Sequence, residues 1–395
     1  MATNENGSQR KYLWLSAGAH FTTDFYNGFL APLLPLIVAR LDLSLTSVGL
    51  LLSLSSVSNS LLQTPMGLLA DRMNRNFFLL FGPLITAIFM GFLGYARSYG
   101  TLVTILVMSG IGTAMFHPPG AAVVGGSQNR RRGLAMAIFN TAGALGIALG
   151  SLIIVPLTHR FGLEATAITI VPALIFFLAS VNLLPPSPHP ARQQVLSISP
   201  SLPLRTGRWL ILILYLMVVI RATTVSAFSG FIPLYVTSQG QSALFGGTAL
   251  AVFQLFATVG MLVGGHWYDR LGAKNILALS FVFVVPLGLG FIFLPGSTGL
   301  PFLALLGFFL SSSTSVNILL AQEILPSRAS LMSSIMMGLG WGVAGILMTP
   351  IGAMADALGL RWTLGIVSFF SALGLGLVLL FQFPQKFLDP GNEHN

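Results

Sequence analysis

Residues 67–75 read GLLADRMNR, and residues 265–274 read GHWYDRLGAK. Each stretch has a glycine, three residues, then Asp-Arg and a further base, and the two aspartates, Asp71 and Asp269, stand 198 residues apart. One such turn is a weak signal, because a helix-ending glycine followed by charges suits any cytoplasmic loop. Two copies at matching places indicate a duplicated unit.

Outward from these turns, apolar runs of about 20 residues recur from Leu13 almost to the C-terminus, long enough to cross a hydrocarbon core of about 30 Å. Hydrophobic residues make up 54% of the 395 and charged residues only 7%, which excludes an ordinary soluble domain. Lipid offers no partner for unpaired backbone groups, so the runs are expected to be helices. The reading is an all-α membrane protein with twelve transmembrane helices, at 12–39, 45–70, 76–96, 100–122, 133–157, 163–184, 208–237, 243–268, 275–295, 299–322, 328–355 and 361–383. Met1 to Gln9 is polar and the first apolar run is too long for a cleavable signal, so the first helix is expected to stay.

Residues 185–207 form the one long polar connection and hold six prolines (185, 186, 188, 190, 200, 203). The expected organisation is an N-terminal six-helix bundle over 1–184, a linker over 185–207 and a C-terminal six-helix bundle over 208–395. Two parallel six-helix repeats suit alternating access, in which one half rocks against the other. Helices five and eleven each follow a basic residue, Arg132 and Arg328. Their glycines, 143, 146 and 150 in one and 338, 342 and 345 in the other, are read as points of close helix contact.

The net charge of +9 would point to nucleic acid in a soluble chain, but here its distribution reports topology. Fourteen bases fall on one side of the predicted spans and only Arg40, Arg97, Arg160 and Arg361 on the other, which puts both termini and the linker in the cytoplasm. Without cysteine there is no disulfide framework, thiolate metal site or lipidated Cys. No GxxxxGK[ST] loop occurs, so ATP is not the expected energy source.

Against this apolar background, the stretch HFTTDFYNG at 20–28 stands out. A charge at the bilayer centre costs at least about 2.5–3.5 kcal/mol on insertion scales, so a partner or a function must justify it. His20 and Asp24 are i and i+4, and Asn27 follows three residues later, so the three share one helix face. Arg221 lies 13 residues after Arg208 in helix seven, as Asp24 lies 13 after Lys11 in helix one, so the two opposite charges sit at similar depth. They either bind each other or face a common aqueous cavity. A carboxylate that is alternately wet and closed off binds its proton differently in the two states. Asp24 is therefore the candidate proton carrier, with His20 as its coupled neighbour. The planar guanidinium of Arg221 suits a carboxylate, phosphate or phosphonate.

His117 precedes Pro118 and Pro119, which remove helix hydrogen bonds and mark helix four as a candidate cavity wall. Asn27 shares the Asp24 face, and Tyr26, Asn140, Gln254, Asn317 and Trp341 are further polar or amphipathic positions within the helices, candidates for substrate binding through the family resemblance given below. His20, Asp24 and His117 offer metal-ligand chemistry, but no HxxxH or acidic cluster supports a metal, and none is expected. The charges at helix ends, Asp71, Arg72, Arg75, Asp269, Arg270, Glu323 and Arg328, are read as a gating set.

The stretch GLLADRMNR resembles the signature loop between helices two and three of the major facilitator superfamily, and its echo at 265–274 is similar to that family's helix 8–9 loop. Asn74 departs from the glycine usual there. MFHPPGAAVVGG (115–126) followed by RRRGLAMAIFNTAGALGIALG (130–150) resembles the fosmidomycin resistance protein group, with Pro119 where that group is expected to carry an acid. The resemblance implies proton-coupled export of a small drug-like or metabolite molecule, and an anionic antibiotic agrees with Arg221. It also implies that Asp71 works against the start of helix eleven near Arg328. The expected partners are a small-molecule substrate, protons and the lipid bilayer, with no nucleic acid and no cofactor, for a monomer in the bacterial inner membrane. The same fold would serve a proton-coupled importer of an organic anion; an intramembrane enzyme would lack a nucleophile.

Overall fold

The structure, a computed structural model, describes residues 2–125, 132–184, 204–294, 296–325 and 329–380. Among the described residues all regular elements are helical. In the first half these are α1 (Ala2–Asn27), α2 (Leu30–Leu41), α3 (Leu45–Leu61), α4 (Gln63–Arg72), α5 (Arg75–Gly91), α6 (Tyr99–Gly125), α7 (Arg132–Phe161) and α8 (Ile170–Leu183). In the second they are α9 (Leu204–Ser238), α10 (Ala243–Val282), α11 (Val284–Phe293), α12 (Leu300–Ser312), α13 (Thr314–Ile324), α14 (Ala329–Ser334), α15 (Gly340–Ile346), α16 (Met348–Leu358) and α17 (Leu360–Leu380).

Eleven helical stretches among the described residues are long and apolar enough to cross a membrane. The first predicted span is not one of them, because His20, Thr22, Thr23, Asp24 and Asn27 dilute its hydropathy. Several spans run through two or three elements. The tenth bends at Ser313 (φ −90°, ψ 0°), between α12 and α13. A π turn at Ile335–Leu339 separates α14 from α15 in the eleventh. Conversely, α10 runs through two predicted spans and is interrupted by Gly272 (φ 75°, ψ 164°), inside the duplicated turn. The matching turn in the first half is made differently: Asn74 caps α5, its side chain accepting a hydrogen bond from Asn76 N. A side-chain cap thus stands where the repeat uses glycine.

Two boundaries differ from the sequence reading. The helix expected from 208 begins at Leu204, since Leu204 to Gly207 contain no proline and hydropathy marks only the membrane-crossing part of a longer helix. The helix expected over 100–122 continues to Gly125 and runs through Pro118 and Pro119, as expected. The missing proline N–H groups still leave the carbonyls one turn earlier without their helical donors.

The chain forms two compact units. The first comprises Met1–Leu43, Leu54–Gln193 and Ser242–Ala251. Tyr12, Ala19, Leu79, Phe116, Val124 and Phe139 form one of its cores. The close approach of α7 to α1 depends on glycine, because a side chain at Gly146 or Gly150 would run into the backbone carbonyl of Phe21 or Phe25. Val171, Ile175 and Leu178 leave an exposed apolar stripe along α8, the surface a bilayer would cover. At one end Arg40 donates to Gly94 O (2.6 Å) and pairs with Glu164 (3.2 Å), which Arg97 also reaches (3.1 Å).

The second unit comprises Ser44–Ser53, Gln194–Gln241 and Val252–Asn395. Its core includes Leu214, Met217, Leu277, Phe281, Val316 and Leu320. Trp362, Ile366, Phe369 and Leu373 repeat the exposed stripe on α17. The Asp356 carboxylate accepts from the first amides of α3, Leu45 N and Thr46 N, both at 2.8 Å, and so caps a helix remote in sequence.

Candidate functional site

In the first unit α1, α6 and α7 bring His20, Asp24 and His117 together. His20 Nε2 lies 3.2 Å from Asp24 Oδ2, and His117 Nε2 lies 3.5 Å from Asp24 Oδ1. His20 and Asp24 are buried, at 7% and 8% exposure, while His117 is only partly buried. The helical spacing of 20 and 24 sets the first contact, and the packing of α6 on α1 sets the second. The Phe139 carbonyl of α7 meets His20 Nδ1 at 2.8 Å.

That last contact fixes the protonation logic. A carbonyl only accepts, so His20 Nδ1 must carry hydrogen. Nε2 of a neutral ring would then present a lone pair to a carboxylate oxygen. The 3.2 Å contact is attractive only if a proton lies in it, either on His20 Nε2 or on Asp24 Oδ2. The His20 ring also lies against Phe116 and Phe139, with centroids at 5.8 and 4.1 Å, and meets His117 edge-on at 4.9 Å.

A polar chain leaves the cluster. Asn27 Nδ2 donates to Asp24 Oδ1 (3.3 Å), Asn27 and Thr113 exchange hydrogen bonds (3.3 Å), and Thr113 meets the Thr86 hydroxyl (3.3 Å). Thr86 in turn can donate to Gly82 O (3.1 Å) or Ser109 O (3.2 Å). One ligand atom from each of His20, Asp24 and His117 lies within 4.8 Å of the others, a set able to hold a divalent ion. Shared protons account for their direct contacts without one.

In the second unit Arg221 of α9 is 2% exposed. Its Nη1 donates to Thr314 Oγ1 (3.0 Å), just beyond the bend at Ser313, while the buried Nε has no partner. Asn317, one turn further along α13, donates from Nδ2 to Ser313 O (2.9 Å) and leaves its buried Oδ1 unmet. A guanidinium carries five N–H donors, and among the described residues the Thr314 hydroxyl meets only one of them.

The other predicted residues are more scattered. Tyr26 is buried and its hydroxyl donates to the backbone carbonyl of Thr169, a tie to the 3-10 turn at Leu163–Thr169 that is sufficient reason for its burial. Tyr235 repeats this tie in the second unit, to Ile292 O. Asn140 is exposed on α7, and Gln254 and Trp341 are partly buried. Arg72 is exposed at the end of α4, Arg270 is exposed two residues before the interruption of α10 at Gly272, and Arg75 and Glu323 are partly buried. Arg328 and the side chains of Asp71 and Asp269 lie outside the described residues.

Sequence reasoning missed the Phe139 carbonyl, the hydroxyls of Thr86 and Thr113, and Thr314. The run SSSTS at 311–315, unusual within an apolar span, is the signal that would have found Thr314. A backbone acceptor leaves no such trace.

A helical membrane protein with a repeated turn and buried ionisable groups in both halves is of the secondary-transporter class. The model of the Major Facilitator Superfamily matches residues 16–349, and the chain belongs to that family. It is 29% identical over 380 residues to the uncharacterized MFS-type transporter YfnC of Bacillus subtilis, covering 91% of this chain and 90% of that one. It is 25% identical over 386 residues to the fosmidomycin resistance protein of Escherichia coli, covering 95% of this chain and 92% of that one. Among solved structures, a bacterial homolog of the human lysosomal transporter Spinster superposes with a TM-score of 0.76 at 17% identity, covering 94% of this chain and 96% of that one. These relatives are transporters and not enzymes.

Proposed function

We propose that this chain is a proton-coupled exporter of a small anionic molecule, working by alternating access in the bacterial inner membrane as a monomer with both termini cytoplasmic. The observation that carries the reading is the His20–Asp24 contact, which requires a proton once the Phe139 carbonyl has taken Nδ1. Asp24 is the proton carrier and His20 shares its proton. His117, the more exposed of the two histidines, is the group through which the pair would meet water or substrate.

Arg221 is the anion-binding group: Thr314 holds its Nη1, and the Nε hydrogen, which has no partner, forms with the neighbouring Nη2 hydrogen the fork that a carboxylate or phosphonate matches in a bidentate manner. Asn27, Asn140, Gln254, Asn317 and Trp341 are proposed to line the substrate path. Asp71, Arg72, Arg75, Asp269, Arg270, Glu323 and Arg328 are proposed as cytoplasmic gate residues. Export rather than import is read from the name of the Escherichia coli relative, which states resistance to fosmidomycin.

The test is to express the chain in sensitive bacteria and screen chemically varied antibiotics, including phosphonates such as fosmidomycin. Raised tolerance to anionic compounds that disappears when an uncoupler collapses the proton gradient is the expected result. Increased sensitivity would reverse the direction to import, and tolerance that survives the uncoupler would remove the proton from the cycle.

A further inference from the structure

Three glycines of α7 face α1 at one-turn spacing, and they do different things. A Cβ on Gly146 would strike the backbone of Phe21 and Phe25, and one on Gly150 the backbone of Phe25. A Cβ on Gly143 would meet no backbone first. Its three nearest neighbours would be His20 Nε2, Asp24 Oδ2 at 2.6 Å and His20 Cδ2 at 2.6 Å. The first two atoms are those that meet in the 3.2 Å contact between His20 and Asp24.

We infer that Gly143 is a positioning residue for this pair: its missing side chain leaves the space in which the imidazole and the carboxylate meet, and any Cβ there would part them. Neither side chain can retreat freely. His20 is held by the Phe139 carbonyl at 2.8 Å and packed between Phe116 and Phe139, and Asp24 is held by Asn27 at 3.3 Å. The ionisable groups that reach Asp24 among the described residues are His20 from its own helix and His117 from α6. From α7 the cluster receives the carbonyl and the ring of Phe139 and the bare face of Gly143, none of them ionisable. Gly143 thus controls how tightly Asp24 holds its proton, while Gly146 and Gly150 set how close the helices come. The inference rests on reading Asp24 as a proton-binding group, but it does not need transport to depend on that proton.

The test uses the purified full-length chain and dicyclohexylcarbodiimide, an apolar reagent that modifies protonated carboxyl groups in membrane proteins. The extent of modification at Asp24, followed by peptide mass spectrometry, is measured across pH. Gly143→Ala is expected to displace the midpoint by at least about one pH unit, the size expected when a charged neighbour within about 4–6 Å is moved away. Gly146→Ala and Gly150→Ala are expected to reduce the yield of folded protein and leave the midpoint in place. His20→Ala should displace the midpoint too, and His20→Ala combined with Gly143→Ala should match His20→Ala alone, because the two act on one contact.

A parental midpoint in folded Gly143→Ala protein would overturn the inference, as would shifts that add in full in the double variant. Should Gly143→Ala fail to fold, recovery of folded protein in the double variant supports a collision with the imidazole, and failure of both overturns it. If Asp24→Asn leaves proton-driven transport intact, the transport reading falls, and the labelling profile still decides the role of Gly143.

Discussion

The two units bury ionisable side chains at corresponding places in the repeat and treat them in opposite ways. Asp24, 8% exposed, has a histidine against each oxygen and an amide from Asn27. Arg221, 2% exposed, is given one hydroxyl, and its Nε nothing. Leaving a buried donor unmet costs about 1–3 kcal/mol, so a ligand that supplies acceptors to Arg221 gains what the fold withholds. On the proposed reading, the difference separates a site that exchanges a proton from one that binds an anion.

The most severe way to break this comparison is Asp24→Asn. In membrane vesicles it should abolish pH-driven transport while substrate exchange at equal pH persists, because the amide cannot cycle a proton. Retained coupling would transfer the role to another group. Arg221→Ala should weaken anionic substrates by about tenfold to a hundredfold, in line with about 1.5–3 kcal/mol for hydrogen bonds to a charged group, and leave neutral ones nearly unchanged. Arg221→Lys should fall between, since an ammonium restores charge but not the planar fork. Equal losses for both substrate classes would make Arg221 structural.

The smallest effect probes where the two units agree. Gly162 (φ 85°) and Gly359 (φ 81°) make the same turn before the sixth and twelfth spans, in a region that residues with a side chain rarely adopt. A Cβ on Gly162 would meet only Glu164 Oε2 at 3.5 Å, and one on Gly359 would meet nothing within 4 Å. Gly162→Ala and Gly359→Ala should therefore each lower stability by a similar amount, about 1–3 kcal/mol of pure backbone strain, read by thermal unfolding with transport unchanged. Unequal losses would show that the two turns are not equivalent.

Much of the fold is legible because membranes impose a one-dimensional code, with length and hydropathy each reporting on a span directly. The GxxxDR repeat and the prolines of the linker added the two-part organisation to the reading. The candidate site was legible only where chemistry was written into side chains against an apolar background, as with His20, Asp24, His117 and Arg221. Pairing was not. The matching depths of Asp24 and Arg221 leave open whether they pair or face a common cavity, because depth along a helix does not specify rotation about its axis, and the histidines that meet Asp24 in the first unit follow only from the structure. Tyr26 is a candidate as an amphipathic position within a helix, and sequence gives no sign that its hydroxyl donates to Thr169 O. Gly143 was indistinguishable from Gly146 and Gly150 in sequence, since the three share a spacing and differ only in what α1 turns toward them.

The chain of polar groups running from Asp24 to α5 has a direction. Asn27 donates its amide hydrogen to Asp24 Oδ1 only while that oxygen is an acceptor. A proton settling there gives the oxygen a hydrogen to donate, and unless His117 Nε2 takes it, the amide turns its carbonyl around to receive it. Thr113 would then lose the acceptor it now finds on Asn27, and its hydroxyl would swing toward Thr86. Thr86 has one hydrogen and two carbonyls competing for it, Gly82 O and Ser109 O, both of which can only accept. The occupancy of a single carboxylate oxygen on α1 can therefore be signalled to α5 by the rotation of one amide and two hydroxyls, with no backbone atom displaced.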